Sequence, residues 1–155
     1  MKCSESAVRS YPRRMNKIIC ALFVFSLTVS SFAQATEPDP CTLIAKADLE
    51  KIFGEIKEGP KAKEGLMKEK GCEWSNMAGS WINIFVYSAD KLGLKKGMLN
   101  DPVDLSGLGD EAFSAKRGTD AEIYVRKGKL VLEIRTSSGQ EVAKKAAEQA
   151  ITKLP

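Results

Sequence analysis

The strongest constraint on this chain is an alternation with period two near its C-terminus. Leu130, Leu132 and Ile134 alternate with Val131, Glu133 and Arg135, and Ile123 and Val125 alternate with Glu122, Tyr124 and Arg126. Alternation sends successive side chains to opposite faces, so both runs predict half-buried β-strands. Between them, Arg126-Lys127-Gly128-Lys129 supplies a glycine able to take the positive φ of a tight hairpin turn. The predicted unit is a strand over 111–116, a hairpin over 121–126 and 130–136, and a helix over 141–154. Ser138-Gly139-Gln140-Glu141 reads as a capping box at the start of that helix. Beyond it, Val142, Ala143, Ala146, Ala147, Ala150, Ile151 and Leu154 recur at helical spacing. Such an amphipathic helix, rich in small alanines, can lie close against a sheet.

The first 35 residues have a different character. A basic stretch, Arg13-Arg14-Met15-Asn16-Lys17, precedes an apolar run over residues 18–32 and the small-residue triplet Ala33-Gln34-Ala35. That order describes a secretory signal peptide, and Met15 alone would start a well-proportioned one. The run is shorter than the ~20 residues of a membrane-spanning helix. Neither Cys20 nor Cys41 follows the small residues of a lipid-acceptor site. The expected organisation is a signal peptide, 1–35, and one exported domain, 36–155. The expected location is periplasmic or secreted, with membrane contact unlikely once the signal peptide is cleaved.

Cleavage changes the charge argument. Residues 1–35 hold five of the 24 basic residues and one of the 20 acidic ones, leaving 19 of each. A neutral domain gives no electrostatic basis for nucleic-acid binding. Two of the four cysteines also leave, and Cys41 and Cys72 remain. An even pair in an exported chain predicts one disulfide, without the C-x-x-C spacing of a redox pair.

The middle of the chain predicts a short helix over 42–53, stopped at Gly54, then a solvated Lys/Glu-dense loop over 55–70 with a weak strand near Ile56. Strands follow over 71–76 and 81–88. In the second, Ile82, Ile84 and Val86 face one way and Trp81, Asn83, Phe85 and Tyr87 the other. Two readings fit: a central strand covered on both sides, or an aromatic binding surface of Trp81, Phe85 and Tyr87 with Trp74 as a neighbour. Residues 89–100 interleave Leu and Met with Lys, as a short helix, a flap or a crossover that plugs the core. The loop over 101–111 carries four carboxylates, but their spacing departs from an EF-hand, and a turn accounts for its Gly and Asp residues.

Several segments together form a pattern: Cys41-Thr42-Leu43-Ile44, Gly71-Cys72-Glu73-Trp74, Gly107-Leu108-Gly109-Asp110-Glu111-Ala112-Phe113 and Tyr124-Val125-Arg126-Lys127-Gly128, followed by an Ala-rich helix. The pattern resembles a family of uncharacterised bacterial exported domains, many of them cell-envelope lipoproteins of actinobacteria. The resemblance implies a fold and a location, and it brings no reaction and no catalytic residues.

The chain has no histidine, and its sequence assembles no nucleophile with a base, no phosphate loop and no metal-spaced cluster. The expectation is an α+β domain: an antiparallel sheet of about five strands, the N- and C-terminal helices on one face, and one disulfide. Its expected role is a non-enzymatic binding or accessory module, without cofactor or metal, acting on an unknown protein or small molecule. The alternatives are a protein-interaction or inhibitor domain, or a hydrolase using carboxylates such as Asp110 and Glu111.

Overall fold

The C-terminal hairpin forms where alternation places it. In the computed structural model, which describes residues 37–155, its strands are Asp120–Lys127 and Leu130–Thr136, joined at Gly128 with φ 58°. The expected signal peptide lies outside the described residues. Seven strands are present: β1 Ile56–Glu64, β2 Lys70–Asn76, β3 Trp81–Ser88, β4 Val103–Leu105, β5 Glu111–Arg117, and the hairpin pair, β6 and β7. The helices are α1 Lys46–Phe53, α2 Leu92–Gly97 and α3 Gln140–Ile151. All strands join one antiparallel sheet in the order β1-β2-β3-β7-β6-β5-β4. Two meanders therefore meet at the β3–β7 pairing, and α2 lies in the connection that carries the chain to the far edge.

The sheet has seven strands rather than the expected five, and the two extra ones are its edges. β1 buries only Ile56 and exposes the other eight residues, so it has no alternation to read. Its pairing slips in register on either side of Glu58, next to Gly59-Pro60, and an edge tolerates the N–H that proline lacks. Its lysines and glutamates also discourage edge-to-edge association. β4 is three residues within the loop over 101–111.

The helix starts differ too. The N-terminal helix begins at Lys46 rather than 42, because Pro40–Thr42 forms a separate 3-10 turn whose Asp39 Oδ1 accepts from the Cys41 N–H at 2.9 Å. The capping box is absent. Gly139 is the N-cap, and Ser138 still belongs to the exit of β7, its N–H donating to Thr136 Oγ1.

α1 and α3 cover one face of the sheet. Leu49 and Phe53 from α1 and Ala143, Ala146, Ala147 and Ala150 from α3 pack with the inward residues of β2, β3, β6 and β7. Fully buried alanines leave the α3 axis close to the strands. Lys127 closes the end of that helix by donating to the Leu154 carbonyl at 2.5 Å, a cation at the negative pole. Asn76 ties the end of α1 to the β2–β3 turn, donating to the Phe53 carbonyl at 2.6 Å and accepting from Ser80 N–H at 2.9 Å.

The Gly107–Phe113 segment has a structural explanation, beginning at Leu108, which plugs the helix-side core. Gly109, with φ 56°, sits so close to the Arg126 carbonyl that a Cβ would collide with it. Asp110 then donates its N–H to that carbonyl at 2.8 Å and accepts the Gly128 N–H on Oδ2 at 2.7 Å. The loop thus locks onto the hairpin turn before Ala112 and Phe113 enter the sheet.

The Cys41–Cys72 disulfide forms, with a Cα–Cα distance of 5.1 Å, and staples the 3-10 turn to β2. Closing a loop of 31 residues stabilises by about 3–4 kcal/mol in the chain-entropy model. The double variant Cys41→Ser/Cys72→Ser should lose about that much in chemical denaturation while keeping its far-UV circular dichroism; an unchanged midpoint would show that the bridge adds nothing.

Candidate functional site

The opposite face of the sheet carries the polar residues of the central strands. Cross-strand pairing places Asn83 beside Arg135 and Arg135 beside Glu122; one row further, Phe85 lies beside Glu133 and Glu133 beside Tyr124. The alternation suggested that Glu133 and Glu122 would face water. Instead Glu133 is 0% exposed and Glu122 1%. The strands are not half-buried, because α2 and the turn between β1 and β2 close over part of this face. Leu92, Phe85, Tyr87, Phe113, Tyr124 and Val131 form a second core beneath them.

Burying carboxylates costs several kcal/mol each unless they are paired and hydrogen-bonded. Here they are. Lys95 of α2 reaches into the second core, its Nζ 2.6 Å from Glu69 and 3.2 Å from Glu133. Tyr87 donates to Glu133 at 2.9 Å and Tyr124 to Glu122 at 2.7 Å. Arg135 bonds Glu133 and also lies 3.5 Å from Glu122, which Arg117 meets at 3.3 Å from the open side. The chain of contacts Glu69–Lys95–Glu133–Arg135–Glu122–Arg117 crosses the face. The two phenols are held neutral: burial, then the adjacent carboxylates, raise both above the usual 10.0. Burial alone would raise the pKa of Glu69, but the Lys95 ammonium and the Met67 N–H outweigh it and leave that carboxyl below its usual 4.5.

Where α2 ends, the network opens into a cleft of about 360 Å³ lined by Lys63, Glu73, Trp81, Asn83, Phe85, Arg117, Asp120, Glu122 and Arg135. Lys63 pairs with Glu73 across β1 and β2. Phe85 folds its ring over Gly71, where any Cβ would strike it, and Arg135 stacks 5.3 Å from the same ring. Asn83 is only 5% exposed, and its Oδ1 has no hydrogen-bond partner. Leaving an amide oxygen buried and unpartnered carries a cost.

The aromatic residues singled out in the sequence are therefore divided. Phe85 and Tyr87 are in the second core, and Phe85 also reaches the cleft. Trp81 is half-buried at the cleft wall, its backbone held by Ser137 and Thr136. Trp74 is on the helix side of the sheet, buried with Ile82 and Ile84, and does not join them. Asp110 and Glu111 lie away from the cleft, engaged with Arg126 at 3.6 and 3.4 Å. Sequence reasoning did not single out Glu122, Glu133, Arg135 or Asn83. The available signal was charged residues at the centre of apolar strands, which an exposed face explains equally well.

No family model and no curated protein matches the chain. Among solved structures, a GTP-binding regulator from Thermotoga maritima is similar at 11% identity and a TM-score of 0.43, over 75% of this chain and 94% of that one.

Two predictions test the network. Lys95→Met leaves Glu69 buried without a cation and Glu133 with Arg135 alone, and should lower stability by about 3–5 kcal/mol. In the native protein, unfolding free energy should fall at both ends of the pH scale. Glu69 has a lowered native pKa, so its contribution is present above about 4.5 and is lost as pH drops through the native value. Tyr87 and Tyr124 have raised native values, so stability is lost above about 10, where the unfolded chain releases protons that the folded one keeps. Denaturation midpoints measured from pH 3 to 11 would check both limbs (roughly the span in which these groups act).

Proposed function

We propose that this chain is an exported, non-enzymatic binding module whose ligand site is the polar cleft on the sheet face opposite α1 and α3. The supporting observation is the cleft itself: a concave space whose wall holds fixed ion pairs, Lys63 with Glu73 and both arginines with Glu122. Paired charges are fixed donors and acceptors, which suits recognition. A general acid or base would need a proton free to move near neutral pH, and the domain has no histidine.

Export rests on the signal-like first 35 residues and agrees with the Cys41–Cys72 bridge, since disulfides persist in oxidising compartments. A place at the bacterial cell envelope is the corresponding reading of the resemblance to exported domains. In this role the module holds a ligand at, or delivers it to, the outside of the cell.

Native mass spectrometry of the protein purified from the exported fraction tests both halves. The expected species begins at Thr36, is two hydrogens lighter than the reduced chain, and carries a ligand mass released on collisional activation. A chain retaining residues 1–35 would overturn export. A bare oxidised chain would shift the reading to a protein-interaction module.

A further inference from the structure

We infer that the cleft takes a compact organic cation, its ammonium group held by the Asp120 carboxylate and lying against the ring of Trp81. This rests on the cleft being a ligand site and goes further by assigning the ligand's class. The charges argue first. In the contact network the cations Lys95, Arg135 and Arg117 match the carboxylates Glu69, Glu133 and Glu122. At the cleft wall Lys63 matches Glu73. Asp120 lines the same space, meets no cation within ion-pair distance among the described residues, and is the carboxylate in excess. An anionic ligand would find every base of the wall engaged and would face that surplus negative charge. A neutral one would leave it uncompensated. A cation supplies what the wall lacks, in a concave space where charges are less screened by water than on an open surface.

The aromatic rings argue next, and independently. Two line the cleft, Phe85 and Trp81. The Phe85 ring already carries a cation, the Arg135 guanidinium at 5.3 Å. No cation lies over the Trp81 ring among the described residues, and Trp81 is only half-buried. Of the aromatic side chains, indole attracts cations most strongly. The sheet register brings the two groups to one ligand. Thr136 pairs with Ile82 on one side and Ala121 on the other. The next row out therefore holds Trp81 and Asp120 on either side of Ser137, two strand spacings or ~9.5 Å apart. Both share the sheet face of Asn83 and Glu122, each two residues along the same strand. A hard metal ion would need six or more oxygen ligands, far more than one free carboxylate offers. An ammonium ion needs that carboxylate alone and gains from the ring. The volume of about 360 Å³ is at the small end of ligand sites, which suits a small organic ion.

The test is an NMR titration of the ¹⁵N-labelled, disulfide-intact protein with tetramethylammonium chloride and with methylammonium chloride. Sodium chloride at matched ionic strength is the reference, and calcium chloride and sodium citrate are the competing probes. The expected result is saturable movement of the Trp81 indole and Asp120 backbone amide signals with at least one ammonium probe. It should exceed the sodium chloride reference and saturate at lower concentration than calcium or citrate. Asp120→Asn and Trp81→Leu should each weaken that probe about fivefold, the factor of one ion pair or one cation–π contact at a half-exposed site. Neither should disturb the signals of remote residues. Asp120 has no ion-pair partner among the described residues, and Trp81 is held through its backbone by Ser137 and Thr136. Tighter binding of calcium or citrate would overturn the organic-cation assignment and leave the binding-module reading standing. Undiminished ammonium binding by both variants would do the same, by placing the cation elsewhere. No saturable movement with either ammonium probe would also overturn the assignment, and the native mass spectrum of the exported protein would then decide separately whether a ligand is carried.

Discussion

Everything on the second face of the sheet depends on the pairing of Lys95 with Glu69 and Glu133. Two carboxylates from different parts of the chain, one beside the β1–β2 turn and one at the centre of β7, lose their water. The cation brought in by α2 is the one that both share. α2 has six residues and includes two glycines, so its backbone alone is a poor helix. Its position is fixed by Leu92, which enters the second core, and by Lys95, which reaches the carboxylates. Lys91 adds a bond from its ammonium to the Met67 carbonyl at 3.0 Å, joining the helix region to the β1–β2 turn. The connection between the two meanders is thereby turned into a lid over half of the face.

That lid sets where the cleft can exist. Under α2 the face is dry, and its tyrosines and Glu133 satisfy one another. Beyond α2 the face opens into the cleft, and Arg117 approaches Glu122 from its open side. Arg135 belongs to both regions: it bonds Glu133 on the covered side and lines the cleft on the open one. Its neighbours, Glu133 and Glu122, outweigh the cost of burying its charge and raise its pKa. The covered half therefore fixes the orientation of the groups in the open half, and a site whose polar groups are held in advance loses less entropy on binding.

Much of this fold was readable from the sequence because one face of each central strand, β3, β6 and β7, is largely apolar. β3 and β7 have the predicted bounds, and β5 and β6 extend them by one residue at one or both ends. The disulfide was readable because only one pair remained after the signal-like segment. The edges were not readable: β1 buries one side chain, and β4 is too short to show a period. The candidate site was hidden for a related reason. Glu122, Glu133 and Arg135 occupy the alternate positions that an exposed face would also fill with charges. Burial depends on α2, whose sequence reads as a weak helix, and the partner that makes Glu133 tolerable, Lys95, is 38 residues away. Asn83 sat in a strand already read as apolar on both sides, so its polarity carried no weight.

The same pairing that stabilises the face fixes the surroundings of its carboxylates. Glu122 faces two guanidinium groups and accepts from Tyr124. Glu133 faces an ammonium and a guanidinium and accepts from Tyr87. Each carboxylate is thus engaged by two cations and one phenol hydroxyl. Asn83 differs because its amide does not titrate and its oxygen is unsatisfied. Asp120 lines the same cleft and meets no cation within ion-pair distance among the described residues, so the fixed pairs around it leave one carboxylate of the wall uncompensated.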